Sequence, residues 1–401
     1  MLRYVFLPLG SLLSAVLPTA GPTPPPAAAT CSFTITNKLA QARPAETISL
    51  PAARLPAVGT GHLEVHDQQT GAVLASQPLD LDGDGKPEEL LFQADFGARA
   101  TRRFTVAVAP GAAPATPAGS PATFSRFVPE RIDDYAWEND RVAFRTYGPV
   151  AQQLTEAGRK DGTLTSGMDC WLKRVPYPII DKWYGGYPAD HRYYHVDRGE
   201  GYDPYHVGAS RGCGGTGVWD QDRLLVSKNF VRYRLLATGP IRTVFELTYA
   251  PWEANGRVVT EKKRISLDLG SQLTRYEEIL TSSAPLPNFV IGITLHDQKG
   301  TVAADKAAGW FRHWETIDDA QLGTGLVLDP RRVTEYRDYR TDQTDQSHLL
   351  VFTKPEPENL VFYAGFAWTK AGRIQTVQDW EAYLADFARR LASPLPVCWA
   401  K

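Results

Sequence analysis

The sequence predicts a mainly β protein, with a small N-terminal β-domain followed by a large antiparallel β-sandwich and one C-terminal helix. Three observations support this class. Short runs that alternate apolar and polar residues, each bounded by turn residues, recur along the chain. A Pro/Ala-rich stretch, "PGAAPATPAGSPAT" (110–123), separates two groups of these runs and is predicted to be a linker. Aromatic residues, which strands favour, number 10 Trp, 17 Tyr and 16 Phe among 401 residues.

The N-terminus has the pattern of a secretory signal peptide, which we place at residues 1–20. Arg3 supplies a positive charge, an apolar run of about 14 residues follows, and small residues precede a predicted cleavage near Ala20. The apolar run is too short to span a bilayer, and no later stretch predicts a transmembrane segment. We therefore expect a secreted or periplasmic protein. An outer-membrane lipoprotein anchored on Cys31 is less favoured, because "AAATC" lacks the usual aliphatic residue.

The first group of alternating runs predicts the small β-domain at residues 32–109. A Pro/Ala tether at residues 21–31 leads into it from the signal peptide. Its runs are "SFTITN", "GHLEVHD", "ELLFQADF" and "RRFTVAVA". Turn residues bound each run, which is the pattern of short strands joined by tight loops.

The second group of runs predicts the large sandwich at residues 124–401. In "RTVFELTYA", Phe245 and Leu247 share one face, and Arg242 and Glu246 share the other. Strands with one apolar and one polar face suit an antiparallel sandwich with a solvated side. The segment "TVQDWEAYLADFARRLAS" has helical periodicity and predicts a helix capped by Thr376.

Charge and cysteine content limit the classes of partner. The net charge of −2 provides no basic surface for nucleic acid, so we expect no nucleic-acid partner. Export would permit disulfides, and the four cysteines allow three pairings. Cys31 and Cys398 lie at the two ends of the mature chain, which makes a terminal disulfide one option. The sequence does not predict the oligomeric state.

The segment "DLDGDGKPEELLF" predicts a calcium loop in the small domain. Asp80, Asp82 and Asp84 have the 1-3-5 spacing of such a loop, and Glu88 occupies position 9. Position 12 is Leu91, so the loop is not an EF-hand. A polar Asp/Gly turn without metal explains the same residues, and both interpretations remain open. A calcium ion here would be structural.

The segment from about residue 181 to 215 predicts the functional site. It is long and polar, and it is too rich in Tyr, Trp and His for a disordered loop. Its histidine spacing matches no standard zinc pattern. Walker, dinucleotide, GxSxG and HExxH motifs are absent, so we expect no organic cofactor. The candidate catalytic residues are His206, Tyr194, Arg211, His296 and Glu277. The candidate substrate-binding residues are Trp137, Arg145, Lys182, Trp183, His195, Tyr205 and Lys228.

Several long blocks of the sequence resemble one secreted bacterial family, labelled domain of unknown function 4861. They include "RIDDYAWENDRVAFRTYGP", "GEGYDPYHVGASRGCGGTGVW" and "KRISLDLGSQLTRYEE", and the resemblance extends over most of the mature chain. The family is typical of Bacteroidota and tends to occur beside enzymes that degrade pectin and other uronate-bearing glycans. The resemblance implies a galactose-mutarotase-like supersandwich for the large domain. It implies an oligo- or polysaccharide as the partner, and it supplies no catalytic residues.

Two chemistries fit the side chains of the polar segment. A lyase needs a base to remove the proton α to a uronate carboxylate, and cations to stabilise the resulting charge. We assign the base to His206 or Tyr194 and the carboxylate-binding cation to Arg211, with Lys182 or Lys228 assisting. A hydrolase needs two facing carboxylates, and Glu200, Asp203 and Glu277 keep that alternative open. The sequence therefore favours a lyase, ahead of a hydrolase or epimerase and ahead of a non-catalytic glycan-binding protein.

Overall fold

The structure, a computed structural model, describes residues 30–114, 120–355 and 359–400. The predicted signal peptide and most of the tether lie outside the described residues. Strands make up 47% and helices 12% of the structure, and the sheets are antiparallel, which confirms the predicted mainly β class. No helix of the described part is long and apolar enough to cross a membrane.

The elements of the first part of the chain are β1 (Thr30–Thr36), β2 (Arg43–Pro51), β3 (His62–Asp67), β4 (Val73–Leu74), β5 (Ser76–Leu79), β6 (Glu89–Phe96) and β7 (Thr101–Ala109). Those of the middle part are β8 (Phe124–Val128), β9 (Asp134–Glu138), β10 (Ala143–Thr146), α1 (Pro149–Glu156), β11 (Asp169–Lys173), α2 (Ile180–Gly186) and β12 (Gly201–Tyr202).

The remaining elements are β13 (Cys213–Asp220), β14 (Arg223–Leu225), β15 (Phe230–Ala237), β16 (Arg242–Tyr249), β17 (Trp252–Glu253), β18 (Val258–Asp268), β19 (Leu273–Ser282), β20 (Phe289–Thr294), β21 (Thr301–Asp305), β22 (Trp310–Ile317), β23 (Ala320–Leu328), β24 (Val333–Tyr339), β25 (His348–Thr353), β26 (Leu360–Trp368), α3 (Val377–Ala392) and β27 (Val397–Trp399).

Strands β1 to β7 form a small β-unit of two sheets, with strand orders β27-β1-β7-β3-β4 and β2-β6-β5. The inward residues of the alternating runs, among them Phe33, Phe92 and Phe104, fill the core between the two sheets. The last strand, β27, returns to pair with the first, so that Phe33 lies opposite Trp399. The chain end is therefore part of the small β-unit.

The large sandwich consists of a nine-stranded sheet and a facing layer. The large sheet has the order β15-β16-β18-β19-β26-β23-β22-β21, and β17 pairs with β18. The facing layer has two five-stranded sheets, β12-β11-β10-β9-β8 and β14-β13-β20-β25-β24, joined by a parallel bridge between Met168 and Gly212. Apolar side chains from both layers, such as Phe144, Ile291 and Phe362, fill the space between them.

Helix α3 packs on the outer face of the nine-stranded sheet, away from the main core. Trp380 and Leu384 are buried against Leu273 and Val327 of the sheet. Thr376 accepts a hydrogen bond from the Asp379 amide at 3.1 Å and forms a capping box with it. The predicted helix and its N-cap are confirmed.

Alternation along β10 and β11 positions the polar residues of the facing layer. Phe144 and Cys170 point into the main core, so Arg145 and Asp169 point away from it, towards α2 and the following chain. We call residues 187–212 the polar segment. It runs over this outer face and is tied at several points to distant strands.

Candidate functional site

Arg145 on β10 fastens the polar segment to the sheet. Its Nε donates to Asp169 Oδ2 at 2.6 Å, its Nη2 to Asp203 Oδ2 at 2.6 Å, and its Nη1 to the Tyr194 hydroxyl at 3.2 Å. The rings of Trp171 and Tyr194 lie 5.2 Å from the guanidinium carbon. Arg145 is buried, and protein groups occupy all three of its nitrogens. This arrangement gives Arg145 a positioning role, because no nitrogen is left to bind a substrate carboxylate.

The two aspartates beside Arg145 are not fully satisfied. Asp169 Oδ1 and Asp203 Oδ1 have no hydrogen-bond partner within the described part of the chain. Burial raises the pKa of Asp203 well above its usual range, and the charge of Asp169 raises it further against the opposing Arg145. Burial also raises the pKa of Tyr194. Tyr194 therefore keeps its proton at neutral pH, which is unfavourable for the base assigned to it from sequence.

Two histidine–carboxylate pairs meet where the polar segment crosses the end of the sandwich. His206 Nε2 lies 3.2 Å from Asp345 Oδ1, and the His206 side chain is 69% exposed. His296, after β20, has its Nδ1 2.8 Å from both carboxylate oxygens of Glu315 on β22. His296 Nε2 donates to the carbonyl oxygen of His206 at 3.0 Å, and the edge of the Tyr205 ring lies against the His296 ring. We call these five residues the histidine site.

Within the histidine site, the two imidazoles have different states. Both nitrogens of His296 face acceptors, which is the pattern of a protonated imidazolium. Burial lowers the pKa of His296, but the hydrogen bonds and charge of Glu315 outweigh this, so that the pKa lies above its ordinary value. His206 has no hydrogen bond at Nδ1 among the described residues, and its exposed side chain leaves that nitrogen accessible to a ligand. His296 thus supplies a fixed positive charge, and His206 supplies a ring nitrogen that protein groups do not occupy.

The backbone at the histidine site is tight. His296 has φ of 39°, in the left-handed region that non-glycine residues rarely adopt. A Cβ at Gly208 would lie 2.0 Å from Asp345 Oδ2 and 2.7 Å from His206 Nε2. Only glycine allows the chain to pass this close to the His206–Asp345 pair.

A third histidine of the polar segment, His195, lies over the Arg145 cluster. Its Nδ1 is 2.9 Å from the Asp203 carbonyl oxygen and 3.6 Å from Asp203 Oδ2, and its side chain is 43% exposed. Burial lowers the pKa of His195. His195 is therefore the exposed group closest to the Asp169–Asp203 pair.

Four of the predicted substrate-binding residues lie elsewhere. Trp137 is fully buried in the main core, where its Nε1 donates to Thr274. Trp183, on the buried side of α2, packs beside Trp171, so neither Trp137 nor Trp183 offers a face to a sugar. The exposed amines of Lys182 and Lys228 pair with Glu200 at 2.8 Å and with Glu156 at 2.5 Å. The structure brings none of the four to the histidine site.

Arg211 and Glu277 are also separated from the histidine site. The Arg211 guanidinium is buried and donates to Ser166 Oγ at 2.8 Å and Thr165 Oγ1 at 3.0 Å, with no carboxylate in contact. Burial lowers its pKa to about 10. Glu277 lies on the outer face of the nine-stranded sheet, paired with Arg275 at 3.1 Å. Its neighbours in β19 face the main core, so the register directs Glu277 away from the polar segment.

Asp345 and Glu315 are site residues that sequence reasoning missed. Phe311, His313 and Glu315 are spaced two residues apart in "WFRHWETI" and therefore share one face of the strand. Because Phe311 faces the core, His313 and Glu315 are polar residues at inward positions. That pattern was the available signal, because buried polar groups in a strand need a specific partner. Asp345 lies in a turn, and nothing in the surrounding "TDQTDQS" distinguishes it from other turn residues.

A further buried charge cluster occupies the interior of the sandwich. Lys263 Nζ lies 2.7 Å from Glu261 and also contacts Glu278, and all three side chains are buried. Burial raises the pKa of Glu278 to about 7, with Glu261 adding to the effect and Lys263 opposing it. Thr216 of β13 covers this cluster from the facing layer, so it is closed to substrate.

The predicted calcium loop brings its four carboxylates together. One oxygen each of Asp80, Asp82, Asp84 and Glu88 lies within 4.8 Å of all the others. Oxygens on opposite sides of a bound Ca²⁺ stand about 5 Å apart, so the donor type and spacing fit this ion. Asp80 also accepts hydrogen bonds from the loop amides of Gly83 and Gly85, which holds the turn. The loop could therefore hold calcium without rearrangement of its backbone.

All four cysteines are free, and their positions limit the pairings. Cys398 lies opposite Thr34 in the β1–β27 register, three residues from Cys31. Three residues along a strand span about 10 Å, which exceeds the Cα separation of a disulfide, so the terminal disulfide is excluded. Cys170 and Cys213 are instead both buried in the main core, where burial, and then the neighbouring Cys213, raise the pKa of the Cys170 thiol.

Comparison with known proteins gives matches over nearly the full chain. The chain is 41% identical over 370 residues to the "Uncharacterized protein P7" of Formosa agariphila, covering 91% of this chain and 92% of that protein.

Two solved structures also align. A glycosyl hydrolase family 38 protein from Enterococcus faecalis has a TM-score of 0.49 and 9% identity, over 94% of this chain and 48% of that one. An alpha-mannosidase from Enterococcus faecalis V583 has a TM-score of 0.42 and 9% identity, over 93% and 46% of the two chains. This chain spans about half the length of each.

The sequence also matches the family model described as "Domain of unknown function (DUF4861)", over residues 35–397. That range takes in both the small β-unit and the whole sandwich. It confirms the resemblance predicted from the sequence blocks, and the chain therefore belongs to the family of domain of unknown function 4861.

Proposed function

We propose that this protein is a secreted carbohydrate-active enzyme that cleaves uronate-bearing glycan fragments by β-elimination at the histidine site. The observation that carries the proposal is the exposed His206 imidazole, which Asp345 orients, in a residue whose backbone carbonyl accepts from the imidazolium of His296. A base with a positive charge nearby supplies the two features that proton removal α to a carboxylate requires.

The proposed step assigns each group a role. His206 Nδ1 takes the proton from the sugar carbon that bears the carboxylate, and Asp345 stabilises the charge that His206 gains. The electron pair left on that carbon forms the C4–C5 double bond as the C4–O bond breaks. The leaving oxygen takes up a proton from water. His296, kept charged by Glu315, acts on the carboxylate only through its positive charge, because both of its ring nitrogens already contact protein oxygens.

Hydrolysis is the second candidate, and one observation favours it. Asp169 and Asp203 each have an oxygen without a partner among the described residues, and the raised pKa of Asp203 suits a general acid. His195 would be the exposed group above this pair. Both carboxylates are buried beneath the polar segment, so hydrolysis there would require the segment to move.

The test measures products from pectic and algal uronate oligosaccharides. We expect ultraviolet absorbance from the double bond conjugated to the carboxylate, and a loss of turnover of about 10²–10⁴-fold in His206→Ala. The control is His66→Ala, because His66 pairs with Glu64 at 3.1 Å in the small β-unit, far from the histidine site.

Three results would contradict the proposal in different ways. New reducing ends without ultraviolet absorbance would indicate hydrolysis, and an Asp203→Asn variant should then be inactive. Glycan binding without any product would indicate a non-catalytic binding protein. Full β-elimination activity in His206→Ala would place the base elsewhere.

A further inference from the structure

A cavity separate from the histidine site lies on the side of the nine-stranded sheet that faces away from its main core. It has a volume of about 640 Å³ and opens where β2 of the small β-unit, the outer face of the sheet and α3 converge. Five arginines and three carboxylates line it, so its wall carries excess positive charge. The rings of Tyr363 and Tyr383 form part of the same wall.

Three of these arginines have unused hydrogen-bonding capacity. The Nε atoms of Arg43, Arg141 and Arg390 are buried and have no partner within the described residues. A single carboxylate, Glu46, serves both Arg43 and Arg390, each at 3.0 Å. Arg43 is 3% exposed, so solvent does not compensate for the missing bond.

Arg141 is the least satisfied cation of the cavity. Its side chain makes no hydrogen bond among the described residues, and its nearest acid is Asp140, at 3.8 Å. Burial lowers the pKa of Arg141, Tyr383 and Asp140 oppose this, and Arg373 and Arg390 add to the lowering. The buried Nε of this partly exposed side chain has no hydrogen-bond acceptor among the described residues, which is unfavourable unless a ligand supplies one. An anionic ligand would provide that pairing.

Backbone strain occurs on the same wall. Ala45 has φ of 49° in a bulge of β2, and it lies between Arg43 and Glu46. A Cβ at Gly270 would lie 3.6 Å from Arg141 Nη2 and 3.9 Å from the Ala45 Cβ, so the Arg141 guanidinium and Ala45 both neighbour Gly270. The bulge shapes the wall that presents the arginines.

We propose that this cavity binds an acidic sugar unit, with Arg141 contacting its carboxylate and the two tyrosine rings packing against the sugar ring. Guanidinium groups bind carboxylates with charge-assisted, often bidentate hydrogen bonds, and aromatic rings pack on the apolar faces of sugars. The cavity is separate from the histidine site, on the other face of the large sheet. It would hold a second unit of an acidic glycan independently of catalysis.

The experiment is calorimetric titration of the full protein with trigalacturonate, neutral galactotriose and inorganic sulfate. The His206→Ala variant serves as background, because it prevents turnover without altering the cavity. We expect trigalacturonate to bind and the affinity to fall with salt. Arg141→Ala should weaken binding by roughly tenfold to a hundredfold. Arg331→Ala is the matched control, because it removes one exposed arginine outside the cavity.

Stability provides a second readout that separates binding from a structural role. Because Arg141 makes no side-chain hydrogen bond, Arg141→Ala should melt at or above the wild-type temperature, whereas a structural arginine would lower it when lost. Equal trigalacturonate affinity in wild type and Arg141→Ala would overturn the proposal. Equal binding of galactotriose would exclude a role for charge, and sulfate binding as tight as trigalacturonate would exclude recognition of a sugar. None of these outcomes bears on β-elimination at the histidine site, so the two proposals can fail independently.

Discussion

Two buried histidines share a lowered pKa but differ in hydrogen bonding, and replacing each by leucine tests this difference. Both ring nitrogens of His313 are buried without a hydrogen bond among the described residues, although Nδ1 lies 3.7 Å from a Glu315 carboxylate oxygen. His348 Nε2 accepts from the Arg211 amide at 3.1 Å, and its Nδ1 donates to the Gln346 carbonyl at 2.8 Å. Burial lowers the pKa of both from 6.5 to about 4.

The pKa difference sets the pH dependence of stability. As the pH falls, the unfolded chain binds a proton at the ordinary histidine pKa, while the folded chain does not bind one until about pH 4. At pH 7 the protonation of these histidines does not change the free energy of unfolding, because both are neutral in the folded and the unfolded state. The free energy of unfolding decreases as the pH falls from 6.5 towards 4. With 1.36 kcal/mol for each pKa unit, the loss at pH 5 is about 2 kcal/mol for each histidine.

At pH 7 the two substitutions should have opposite signs. His313→Leu removes two unpaired polar atoms and should stabilise the fold by about 1–3 kcal/mol. His348→Leu leaves the Arg211 amide and the Gln346 carbonyl unpaired and should destabilise it by about 1–3 kcal/mol. Between pH 7 and pH 5, the free energy of unfolding of each variant should also decrease by about 2 kcal/mol less than that of the wild type.

Urea unfolding at the two pH values, followed by tryptophan fluorescence, measures all of these quantities. For each protein, the decrease in the free energy of unfolding from pH 7 to pH 5 is called the acid step, and each variant is compared with the wild type. If both variants shift stability at pH 7 in the same direction, the hydrogen-bond argument is refuted. If the variants keep the wild-type acid step, the buried neutral histidines are not its source.

Two further predictions concern the small β-unit and the core. Calcium should raise the melting temperature of the wild type, EDTA should reverse the rise, and Asp82→Ala should not respond, because binding to the folded state alone stabilises it; melting that is insensitive to calcium would mean that the loop is only a turn. In protein exported to an oxidising compartment, Cys170 and Cys213 should form a disulfide, because their side chains are neighbours in the main core. Alkylation and mass spectrometry would then count two free thiols, and four would contradict the pairing.

Much of the secondary structure could be predicted from short stretches of sequence. The alternating runs of β1, β6 and β7 predicted strands because their period of two matches the pleat and is independent of partners. The helix from Val377 was predictable because its stripe and its Thr376 cap lie within about one helical length of sequence. The acids of the predicted calcium loop come together because they lie within the nine residues 80–88, where Gly83 and Gly85 allow the turn.

The histidine site could be predicted only in part, because its two halves are far apart in the chain. The sequence placed His206 and His296 among the candidate catalytic residues, and in the structure the His206 side chain is exposed and His296 follows the end of β20. Their partners, Asp345 and Glu315, are 139 and 19 residues away and meet them only through the packing of distant strands. No local pattern encodes such a pairing.

Which face a residue occupies was decided by register and by what covers each face. Arg211 and Trp137 have the side chains of a binding site, yet neighbouring strands cover them completely. Glu277 points outward because Tyr276 and Glu278 beside it point into the core. By itself, the sequence determined the β class, the C-terminal helix and the family, because these depend on short-range periodicity and on long matching blocks. The tertiary structure decided which polar groups are exposed together, because sheet order brings together strands that are remote in the chain.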